Sequence, residues 1–125
     1  MKIKNSLVLI IVLFGFQACY YDVEERLYPT GGCDISNVTL SAKVKPILQG
    51  RCYTCHSTQN ATGSGAGINL ETYATLKVQV DNGKLLKSIN HEAGASAMPK
   101  GVSAKISACE IKMIDKWVTD GAKDN

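Results

Sequence analysis

Apolar residues recur at helical spacing in four stretches of the chain, and strand signals are nearly absent. Val44, Ile47 and Leu48 share one face, which predicts a helix over roughly 41–50. Pro46 falls inside that span, so it belongs either in the first turn or at a kink. Gly50 is expected to end the helix just ahead of Cys52. A second helix fits Glu71 to Val78, burying Tyr73 and Leu76, with Asn69 placed to cap it. A third fits about Lys84 to Asn90 after the Asp81-Asn82-Gly83 turn, with Leu85, Leu86 and Ile89 apolar. The clearest helix is the last. Ser107 and Glu110 form a capping box, each satisfying an orphan backbone donor. Ile111, Ile114 and Val118 make a buried stripe with Trp117 beside it, and Gly121 supplies the stop.

Between these helices, residues 57–67 and 91–104 follow no period. Loops that long count against an assignment in so small a domain, unless a large buried group gives them something to wrap. Gly63-Ser64-Gly65-Ala66-Gly67 reads as flexible loop; no strand precedes it and no lysine follows at the position a phosphate loop needs. No internal repeat is visible.

The longest apolar run, Leu7 to Phe14, follows Lys2 and Lys4. It is too short to cross a bilayer, which takes roughly 20 residues. A basic start, a short apolar centre and a small residue at its end mark residues 1–18 as a secretory signal. Ala18-Cys19 resembles the lipobox of bacterial lipoproteins, where the cysteine is acylated and becomes the new N-terminus. Phe16 and Gln17 depart from the leucine-like and small residues usual there, and ordinary cleavage or an uncut anchor are the alternatives. The resemblance implies a lipid on Cys19 that tethers a soluble domain to a membrane face. Residues 19–32 read as a flexible tether ending in Pro29, Gly31 and Gly32. Asp22, Glu24 and Glu25 resemble surface-export signals of some bacterial lipoproteins, although an acidic linker is more often simply a solvated one. The folded domain is expected over 33–125.

Charge changes the picture little. Two of the fourteen basic residues and none of the eleven acidic ones lie in the signal, leaving a charge of +1 on the rest. Nothing points to nucleic acid, and long-range steering is a minor effect.

Cys52-Tyr53-Thr54-Cys55-His56 is the strongest chemical signal, because Cys-x-x-Cys-His is the attachment pattern of c-type haem. Two thiols one helical turn apart reach the two vinyl groups of one haem, and the adjoining histidine is held below the iron. A redox thiol pair would need a βαβ context, which is missing. Structural zinc would need four ligands and usually a second close pair, whereas Cys33, His91 and Cys109 are scattered singly.

An electron-carrying haem needs a sixth ligand. Met98, in Ser96-Ala97-Met98-Pro99-Lys100-Gly101 just before the last helix, is the best candidate. A thioether favours the ferrous state, and Pro99 keeps helix from forming through the ligand. His91 is the rival, with bis-histidine ligation; a surface or propionate-bonding histidine is its plainer role. Met1 lies in the signal and Met113 on the last helix. With Cys19 lipidated and Cys52 and Cys55 on haem, Cys33 and Cys109 remain as an even pair in an exported chain. A disulfide between them is expected, worth on the order of 4 kcal/mol; two buried free thiols are the alternative.

Over roughly 33–122 the chain resembles the class I cytochrome c domain, in its small monohaem form in bacterial lipoproteins. The resemblance rests on Val44-Lys45-Pro46-Ile47-Leu48 before Cys52-Tyr53-Thr54-Cys55-His56-Ser57, on Ile68-Asn69-Leu70-Glu71-Thr72-Tyr73, on Met98-Pro99, and on Trp117-Val118-Thr119-Asp120-Gly121-Ala122. It implies a mostly α fold, a cytochrome c-like bundle of short helices and long loops wrapped around one covalent haem c. In that family the first and last helices cross beside the haem, which makes the Cys33–Cys109 bridge plausible. Ile47, Leu48, Ile68, Leu70, Leu85, Trp117 and Val118 are then expected on or near the macrocycle. The implied function is electron transfer with redox partner proteins, from the periplasmic side or the cell surface. The rivals are a haem enzyme or sensor with an open or His-ligated sixth site, a haem-bearing accessory subunit of a larger redox complex, and a lipoprotein whose haem is incidental.

Overall fold

The computed structural model describes residues 32–125. The expected signal 1–18, the lipidation site Cys19 and residues 20–31 of the tether lie outside the described residues. The chain divides into a leading unit that ends at Asp34 and a second unit, Ile35–Asn125. The second unit holds a π-helical turn, Leu40–Val44, followed by α1 (Lys45–Arg51), α2 (Tyr53–His56), α3 (Tyr73–Asp81), α4 (Lys84–Ile89) and α5 (Ala108–Thr119). The fold is mostly helical, with no strand among the described residues. No helix among them is long and apolar enough to cross a membrane.

The first helical segment shows how a proline is accommodated. Thr39 caps it by accepting from the Ala42 N–H, and the Lys45 N–H reaches back to the Leu40 carbonyl in the wide π register. Pro46, which has no N–H to give, falls in the first turn of α1, where none is required. Gly50 does not end this helix as expected. Helix runs through it to Arg51, and the break comes at Cys52, whose φ of −121° leaves the helical region. A glycine lowers helix propensity but does not forbid helix, and the buried Ile47 and Leu48 hold the segment in place.

The second predicted helix is shifted. Thr72, not Asn69, is the cap, accepting from the Thr75 N–H, so α3 begins at Tyr73. Asn69 instead braces the loop before it: its carbonyl oxygen accepts from the Glu71 N–H and its amide donates to Thr58 Oγ1. α4 starts after Gly83, whose φ of +71° is left-handed and suits glycine. α5 carries the full capping box between Ser107 and Glu110. It ends in a Schellman motif: the Gly121 N–H bonds the Val118 carbonyl at 3.0 Å and the Ala122 N–H bonds the Trp117 carbonyl at 2.9 Å.

Val44, Leu48, Leu76, Ile114 and Trp117 form the most deeply buried part of one core, each contributing about 1.5–3 kcal/mol through burial. The π-helical turn packs against α5, as does α4, so the first and last helical segments meet as anticipated. Arg51 Nε sits 2.9 Å from Glu110 Oε1 across that junction. The chain end is pinned over the core, where the Trp117 indole donates to the Lys123 carbonyl and the Tyr73 hydroxyl to that of Ala122.

Candidate functional site

α2 is a single helical turn that presents Cys55 and His56. The N–H groups of Cys55 and His56 both bond the Cys52 carbonyl, at 3.1 and 2.8 Å, which fixes the two thiols one turn apart. Both are free cysteines. Burial, and then the nearby Glu110 carboxylate, push the Cys52 thiol up to about 11 against the opposing charge of Arg51. Cys52 is therefore a protonated thiol at neutral pH.

The loop after α2 folds back over it. The Leu70 N–H bonds the His56 carbonyl at 2.8 Å, and His56 Nδ1 lies 2.9 Å from the Ile68 carbonyl oxygen. A carbonyl can only accept, so Nδ1 carries the ring proton and Nε2 keeps its lone pair, the arrangement typical of a metal-binding histidine. The loop 57–67, whose Gly63–Gly67 stretch is expected to be flexible, is a closed run of turns. The Asn60 amide ties it to the Thr54 carbonyl, and the Gly67 N–H bonds the Ala61 carbonyl. Gly65 is buried beneath α2, and a Cβ there would lie 2.5 Å from the Cys55 carbonyl oxygen. This glycine is a point of close backbone approach.

Cys52, Cys55 and His56 line a cavity of about 430 Å³, within the range of small-molecule and cofactor pockets. Met98 and Pro99 line it from the loop after α4, so the structure brings the predicted methionine to the same space as the Cys-x-x-Cys-His turn. Ile68, Leu70, Leu85, Ile89 and Ile106 make apolar walls. The charged residues in the lining are Arg51, Lys84 and Lys100, all cations, with no carboxylate among them. Free thiols, a histidine with an open Nε2, apolar walls and cationic edges fit a flat apolar group that bears carboxylates, as haem does.

His91 is placed differently. It is not among the residues that line the cavity, and its Nε2 lies 3.0 Å from the Met98 carbonyl oxygen. That bond occupies one of its two ring nitrogens. Of the residues expected beside a macrocycle, Ile68, Leu70 and Leu85 line the cavity. Ile47, Leu48 and Trp117 are not in the lining but lie in the core, to which Leu70 and Leu85 also belong, and Val118 packs against it. Cys33 and Cys109 are each disulfide-bonded rather than free. Among the described residues, no three His, Cys, Asp or Glu side chains cluster as a bare metal ion would need.

Reading the sequence missed Ile89, Ile106 and Gly65, and also the carbonyls of Ile68 and Ser88 that anchor the two candidate ligands. The clustered glycines could have signalled close backbone approach. A carbonyl's role leaves no mark on residue type. Comparison with known protein families, curated proteins and solved structures finds no match to this chain.

Proposed function

We propose that this chain is an exported monohaem c-type cytochrome that carries single electrons. One observation carries the reading: two free thiols, a histidine whose Nδ1 is spent on a carbonyl, and a methionine from a distant loop all line one cavity. A bound haem supplies a one-electron iron couple, and the protein supplies orientation and electrostatics. Cys52 and Cys55 would hold the haem through thioethers, and His56 Nε2 and the Met98 sulfur would bind its iron. The hydrogen bond to Ile68 fixes the orientation of the His56 ring. Ile68, Leu70, Leu85, Ile89 and Ile106 exclude water, which keeps the local dielectric low. Lys84 and Lys100 would offset the negative charge of carboxylates at the cavity edge.

The reading includes a lipid anchor on Cys19, a location on the periplasmic side or cell surface, and redox proteins that deliver and take up the electron. Disulfide-bonded Cys33 and Cys109 support an oxidising compartment; their pairing with each other is part of the proposal.

The test is the oxidised and reduced visible spectrum of protein matured in an export pathway competent for haem attachment. A thioether-type pyridine haemochrome, with the weak near-infrared sulfur-to-iron band of the oxidised form, is the expected result. Haem without that band would shift the sixth ligand to His91, or the function toward an open-site enzyme or sensor. A chain that acquires no haem would overturn the reading.

A further inference from the structure

We propose that His91 is the positioning residue for Met98, clamping the ligand's backbone so that its sulfur is presented to the cavity; this rests on the haem reading above. Both backbone hydrogen-bonding groups of Met98 are held by the end of α4. The Met98 N–H bonds the Ser88 carbonyl at 3.0 Å, and the Met98 carbonyl accepts from His91 Nε2 at 3.0 Å. His91 is itself fixed to the same carbonyl, its N–H lying 3.2 Å from Ser88 O. The clamp is therefore a small closed unit: Ser88 holds both His91 and Met98, and His91 holds Met98 from the other side.

The backbone at His91 supports the assignment. Its φ is +55°, in the left-handed region where glycine is the default and other residues are uncommon. Such a conformation persists where its surroundings hold it, often at functional sites. A glycine would meet the backbone requirement with less strain but would lack the ring donor. The side chain is what this position gains by not being glycine, and its hydrogen bond goes to the candidate ligand's own carbonyl. Met98 and Pro99 are half-buried, whereas Ser96, Ala97 and Lys100 around them are exposed.

His91→Gly is the informative variant, because it suits the local backbone and removes the ring donor. The haem protein is tested for covalent haem by pyridine haemochrome, then for the sulfur-to-iron band and for imidazole binding, which must displace a sixth ligand. Loss of one net hydrogen bond predicts a weaker band and imidazole affinity raised roughly three- to tenfold. His91→Gln, whose amide restores a donor, brings affinity back to within about twofold of the original. The assignment fails if His91→Gly keeps the original band and imidazole affinity, or if His91→Gln behaves like His91→Gly. A wild-type band absent from the start, with its ligand signature abolished in His91→Gly, would make His91 the ligand and also overturn it. Absence of haem in the wild-type protein is read at the first step and sinks the haem reading itself, with this inference.

Discussion

His56 Nδ1 donates to the carbonyl oxygen of Ile68, 2.9 Å away, although the two residues are separated by the whole glycine-containing loop. The bond chooses the ring's tautomer before any ligand arrives. In the reduced haem protein, the His56 Nδ1 proton should exchange slowly with solvent and give a hydrogen-bonded NMR signal. Rapid exchange at that position would show that the loop does not orient the ring.

Gly65 should tolerate no side chain. A Cβ there would lie 2.5 Å from the Cys55 carbonyl oxygen and 2.8 and 2.9 Å from Ala61 Cα and O, all backbone atoms that cannot swing aside. Gly65→Ala is expected to cost about 1–3 kcal/mol, measured by chemical denaturation, and to lower the yield of covalent haem. Gly63→Ala, where the nearest atom is 3.8 Å away, serves as the control and should be close to neutral.

The Cys52 thiol is held protonated mainly by burial, up to about 11 from an ordinary 9.0. A raised value in the folded chain adds stability below about pH 9, lost as pH rises from 9 through 11. In haem-free protein, alkylation of Cys52 should therefore stay slow through pH 9 and rise steeply toward pH 11. Cys33 and Cys109 should react only after reduction, and a linked Cys33–Cys109 peptide should be recovered before it. An ordinary thiol profile at Cys52 would show that the haem-free chain does not keep this packing.

Glu110 combines two tasks, capping α5 through Ser107 and pairing with Arg51 at 2.9 Å. Burial pushes its carboxyl up, but the hydrogen bonds from Arg51 and Ser107 and the Arg51 charge outweigh this and hold it below the usual range. A depressed carboxyl contributes stability above the unfolded carboxylate value, and that stability is lost as pH falls through the lower folded value. Glu110→Ala should cost about 1 kcal/mol through the cap, with up to about 1 kcal/mol more from the ion pair. The difference from wild type should shrink in acid. An undiminished difference there would place the effect in packing rather than charge.

The Tyr53 hydroxyl is buried and has no hydrogen-bond partner among the described residues. An unsatisfied buried hydroxyl is costly, so Tyr53→Phe should be neutral or should stabilise the fold by up to about 1 kcal/mol in denaturant titration. A loss of more than that would reveal a partner for the hydroxyl.

Much of this was legible along the chain because the signals are local. The capping box of Ser107 and Glu110, the stop at Gly121 and the apolar spacing of α5 depend on residues within a few positions of one another. So does the turn that carries Cys52, Cys55 and His56. The caps were less secure where several residues could serve, as Asn69 and Thr72 both could, and tertiary contacts to Thr58 took Asn69 away. The sequence by itself determined the helical class and the thiol–thiol–histidine turn, because residue type and short spacing specify them, and it offered Met98 as a candidate companion through residue type and the proline that follows. Only the tertiary structure decided that Met98 and not His91 lines the cavity, that Gly65 lies against Cys55, and that Trp117 belongs to the core. These depend on how separate segments pack against one another, which residue type and short spacing do not specify.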